Sequence, residues 1–102
     1  MSSASPSPPA ELDSANVLAY AVLDDTVTYT GRITVYMDDK LLGPVPHLVI
    51  AHNQYEPHDY LLFYCNTEWE VLAAGGYASL AEAKQRAEVA YAGSSSKWQH
   101  VA

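Results

Sequence analysis

The chain has 102 residues, 49% apolar and 11% aromatic, enough for one hydrophobic core and too few for two. Five Lys and Arg stand against twelve Asp and Glu, a formal charge of −7. That balance disfavours a nucleic-acid partner, because neutralising phosphates takes clustered cations, and it suits a basic protein partner or plain solubility.

Residues 1–9 hold four Ser and three Pro and little to bury, which predicts a disordered tail ahead of a single α+β domain over residues 10–102. The start, MSSASPSPPAELD, has neither a basic end nor an apolar stretch and does not read as a secretory signal. No segment reaches the roughly 18 apolar residues of a membrane span, so no membrane partner and a cytoplasmic location are expected. The lone Cys65 excludes an internal disulfide.

PAELDSANVLAYAVL carries two periods. Leu12, Ala15, Ala19 and Val22 make a helical stripe behind a proline, while Leu18, Tyr20 and Val22 alternate with Val17, Ala19 and Ala21 as a strand would. The second half leans to strand. In TVTYTGRITVYM, Val27, Tyr29, Ile33, Val35 and Met37 alternate with Thr28, Thr30, Arg32 and Thr34, which predicts one half-buried strand with a bend at Gly31. Asp38-Asp39-Lys40 is a turn, and Gly43, Pro44 and Pro46 exclude a central strand after it.

His47–His52 is the next strand, Asn53–Asp59 a loop, and Tyr60–Cys65 a strand apolar on both faces and so covered on both. Glu68–Ala74 follows, with Trp69, Val71 and Ala73 on one face and Gly75-Gly76 ending it. Ser79 with Glu82 predicts a capping box. Leu80, Ala83, Ala87, Ala90 and Tyr91 form the buried stripe of a helix, Glu82 and Arg86 can pair across a turn, and Gly93 is the left-handed stop. Trp98 is expected to fold back over the core. The whole is α+β, an antiparallel meander of four to five strands with one C-terminal helix packed on one face.

GGYASLAEAKQRAE resembles the end of a double-stranded-RNA-binding domain. The resemblance implies a helix packed on an antiparallel sheet. That family places lysines where this chain has Leu80 and Ala81, ahead of the one at Lys84, so the RNA function does not carry over. Thr30 to Trp98 also resembles small bacterial domains of unknown function ending in Ser-Leu-x-Glu-Ala-Lys and a Trp, which names no activity.

The segment HNQYEPHDY concentrates ionisable groups, and His52, Glu56 and His58 are acceptable metal ligands whose spacing fits no recognised zinc arrangement. A solvated hairpin loop accounts for the same residues. Cys65 ends an apolar strand, the setting of a small buried hydrophobe rather than a nucleophile. Asp24-Asp25 and Asp38-Asp39 sit in turns, and Gly75-Gly76 lacks the lysine and further glycines of a phosphate cradle. No catalytic residue and no cofactor are implied. Tyr36, Tyr55, Tyr60, Tyr64, Tyr77 and Trp69 exceed what so small a domain buries; they line the core rim or form an interaction surface on the sheet face away from the helix, for which Tyr36, Tyr55, Tyr60, Tyr64 and Trp69 are the candidates. The expected function is a small acidic, non-enzymatic interaction module of the adaptor, inhibitor or immunity type. Its partner is a protein or a second copy, met on the open sheet face or an edge strand. The alternative is metal or small-ligand binding by the His52–Asp59 loop.

Overall fold

A computed structural model describes residues 8–32, 36–37, 39–56 and 58–101. The elements in chain order are β1 (Glu11–Leu12), β2 (Ala15–Val22), β3 (Thr28–Tyr29), β4 (Tyr36–Met37), β5 (Lys40–Leu41), β6 (His47–Asn53), β7 (Tyr60–Cys65), β8 (Val71–Tyr77), α1 (Leu80–Ala90), β9 (Tyr91–Ala92) and β10 (Trp98–His100). The main sheet runs β1-β2-β6-β7-β8, with β10 also joined to β2, and every pairing is antiparallel. The architecture is the α+β meander with one helix that the periodicities imply, extended by two short strands. Residues 1–7, most of the expected tail, lie outside the described residues.

Between β1 and β2 the strand pattern prevails over the helical stripe. Asp13 and Ser14 both take left-handed backbone (φ 47° and 65°), which reverses the chain and is incompatible with a helix there. β2 then pairs with β6 but shifts register between Val17↔Ala51 and Ala19↔Ile50, leaving Leu18 as a bulge. Its carbonyl is not wasted: it accepts the Val101 amide at 2.9 Å. The extra residue puts Val17 and Tyr20 on one face and Ala21 on the other.

Two cores result, one on each face. Under the helix, Leu48, Ile50, Leu62 and Tyr64 meet Ala83, Ala87 and Ala90, all fully or almost fully buried. Alanines at these three positions let α1 lie close on the sheet. On the opposite face Ala15, Val17, Val49, Ala51, Phe63, Cys65 and Trp69 form a second cluster. Trp98 packs half-buried on the helix-side core as β10 pairs with β2.

The helix start is as its sequence implies. Ser79 Oγ accepts the Glu82 amide at 3.0 Å, and Glu82 Oε1 accepts the Ala78 amide at 2.8 Å. Among the described residues Glu82 therefore turns back to the cap, and the one ion pair is Lys97–Asp24 at 3.0 Å, not Glu82–Arg86.

Three other expectations change. The long strand over Val27–Met37 is not continuous: Thr30 leaves the ladder, Gly31 is left-handed (φ 71°), and Ile33–Val35 lie outside the described residues. The cause is the end of α1. Thr30 donates its amide to Ala90 O (2.9 Å) and its hydroxyl to Val89 O (2.6 Å), satisfying carbonyls the helix leaves open. Secondly, β8 runs through Gly75-Gly76 to Tyr77, paired with Leu62, Leu61 and Tyr60. The missing side chains make room: a Cβ at 75 would stand 3.2 Å from the Tyr77 hydroxyl, and one at 76 would stand 3.0 Å from Asp59 Oδ1. Finally, Gly93 (φ 99°) does not stop the helix, which ends at Ala90 because Tyr91–Ala92 pair with Thr28–Tyr29 as β9 with β3. It serves the next turn, where Glu88 accepts the Gly93 and Ser95 amides at 2.9 Å each.

Candidate functional site

The five aromatic residues of the expected surface divide by burial. Tyr55 is 83% exposed at the tip of the β6–β7 connection and Tyr36 is 62% exposed on β4, while Tyr60 is half-buried. Tyr64 and Trp69 are each 3% exposed, the first beneath α1 and the second on the opposite face. They are core, so a surface drawn through all five does not exist.

The burial of Trp69 originates in Asn66. The Asn66 side chain accepts the amides of Glu68 (2.9 Å) and Glu70 (3.0 Å), and its carbonyl accepts the Trp69 amide at 3.0 Å. This short loop holds Trp69 at φ 65°, a conformation side chains other than glycine rarely take, and turns the indole back onto the sheet. There it stacks on His47 at 3.8 Å and meets Tyr20 edge-on at 5.7 Å. The face expected to be open is thus closed by its own loop, and Tyr20, His47 and Asn66 were the residues not foreseen. Their only sequence signal is an Asn-x-Glu-Trp-Glu turn in which asparagine caps backbone amides.

His47 Nδ1–H donates to Asn66 O at 2.9 Å. Burial lowers the pKa of the ring, only partly offset by that bond. Protonation is therefore harder folded than unfolded, where the value is about 6.5. The stability this group confers is complete above that value and is lost as pH falls through the lowered folded one. Urea midpoints are expected to fall between neutral and mildly acid pH, and the His47→Gln variant to flatten that slope.

Asn53, which ends β6, ties the connection to Asp59. Asn53 donates its amide to Asp59 O (3.1 Å) and its side-chain amide to Asp59 Oδ2 (3.1 Å), and its Oδ1 accepts the Tyr55 amide (2.9 Å). Gln54 donates to Glu11. The register sets Tyr60 opposite His52, with the rings 5.1 Å apart, while Glu56 and His58 are exposed in the turn. Among the described residues no three His, Cys, Asp or Glu side chains converge as a metal would require.

Cys65 is fully buried, and burial pushes its thiol up to about 12, with Asp13 contributing. A thiolate is the reactive species, so the native protein is expected to resist a thiol-specific reagent at neutral pH and to react promptly once unfolded in urea.

The remaining candidate is an edge. β1 and β10 cover the outer side of β2, the first at Ala15–Asn16 and the second at Ala19–Ala21. At the other end β8 pairs only with β7, and its outward backbone groups meet no strand among the described residues. The β4–β5 hairpin lies nearby without pairing to it. Exposed edges are ordinarily blunted by lysine, proline or brevity. β8 is seven residues of Val, Leu, Ala, Gly and Tyr with no charge and no proline. Carboxylates flank it: Glu68 and Glu70 are exposed before it, Asp59 leans across Gly76, and Glu82 follows at the helix start. Comparison with protein-family models, curated proteins and solved structures returned no match to this chain.

Proposed function

We propose that this chain is a small acidic, non-enzymatic protein-interaction module that engages its partner at β8. The uncharged seven-residue edge, which pairs with no strand but β7 among the described residues, carries the reading, since unpaired backbone groups in a row are a template for another chain. The formal charge of −7 and the exposed Tyr36 and Tyr55 support it. Selection from an unbiased displayed peptide library, run beside sedimentation over a range of protein concentrations, tests it. Retained peptides or a concentration-dependent dimer are expected; a monomer that retains nothing contradicts the proposal. No observation favours metal or small-ligand binding by His52, Glu56 and His58, and a zinc titration is expected to give no binding tighter than about millimolar.

A further inference from the structure

We infer that the occupant of β8 is an extended, basic segment of another protein, added to the sheet as a further strand; this rests on the interaction reading above. Backbone pairing asks only for an extended chain, so sequence preference has to come from side chains beside the strand. Here those are carboxylates. Glu68 and Glu70 stand before the start of β8 and Glu82 beyond its end. An entering strand carrying Lys or Arg at its ends therefore meets opposite charge at both ends of β8. Ala74, exposed on the same strand, adds only a methyl.

A second copy fits this edge less well. Antiparallel pairing of two β8 strands about Ala74 brings the Glu70 end of each toward the Glu82 end of the other, between two chains each of charge −7. Like charges so placed oppose association. The same arithmetic favours a basic partner.

The probe is a fluorescent peptide of about nine residues alternating Lys and Val, with a Glu-Val counterpart, followed by anisotropy at low salt. Amide exchange locates the bound peptide on the full chain. The Lys-Val peptide is expected to bind, to slow exchange in Val71–Tyr77, and to weaken with salt; the Glu-Val peptide is not. Ala74→Lys is expected to weaken binding about tenfold and Ala74→Glu to preserve or strengthen it. Both variants place a side chain in solvent, and unchanged exchange in β6 shows that they are folded. Binding without protection of β8, or equal effects of the two variants, overturns the edge assignment while leaving an acidic interaction module intact. Dimerisation through β8 with no peptide binding overturns the basic occupant and leaves the edge. No binding of any kind removes both.

Discussion

Trp69→Ala is expected to destabilise the fold by about 3–5 kcal/mol, read from the urea midpoint. Against a typical total of about 5–15 kcal/mol this is a large share. The indole is 3% exposed and touches both His47 and Tyr20, and it is the largest member of the cluster that covers Val49, Ala51, Phe63 and Cys65. Nothing nearby refills its volume, because it reaches the sheet from a loop held by hydrogen bonds to Asn66. The backbone at φ 65° persists in the alanine variant and stays costly for any residue with a Cβ. Trp69→Gly removes the same ring but suits that backbone, so it is expected to be no less stable than Trp69→Ala. A glycine variant clearly below the alanine one speaks against the left-handed turn. Cys65 gives an independent readout, since uncovering this face is expected to speed its reaction with a thiol reagent.

The helix-side core fails in the opposite direction. Ala87→Leu is expected to cost about 1–3 kcal/mol, because it adds carbon where α1 already lies close on the sheet. Ala87 is 0% exposed, as are Ala83 before it and Leu62 beneath the helix. Ala81→Leu is the control: residue 81 is exposed, and its substitution is expected to stay within about 0.5 kcal/mol. Thermal unfolding of both variants separates overpacking from any general effect of leucine in the helix.

These two sites also show what sequence alone reveals. α1 is legible because its signals are local: Ser79 and Glu82 cap it, and alanines at helical spacing mark its buried stripe. β6 and β7 are legible because apolar runs between turn residues have little alternative. Trp69 is not legible as core, since its burial depends on a left-handed backbone and a bulge at Leu18 that brings Tyr20 to the same face. Nor is the break in the Val27–Met37 alternation, because Thr30 is taken by helix carbonyls about 60 residues away in the chain. Local pattern names an element where its signals are local, as at α1, β6 and β7; continuity, face and edge are decided by register and by distant partners. The same holds for β8, recognisable as a strand from sequence and as an edge only from strand order.

The most direct test of the account is therefore amide hydrogen exchange on the isolated chain. Alternate amides of Val71–Tyr77 are expected to exchange fast, facing outward with no strand beside them among the described residues, while those of His47–Asn53 are protected to the level of global unfolding. If every amide of β8 is protected as strongly as β6, the edge is covered and the proposed docking strand is contradicted.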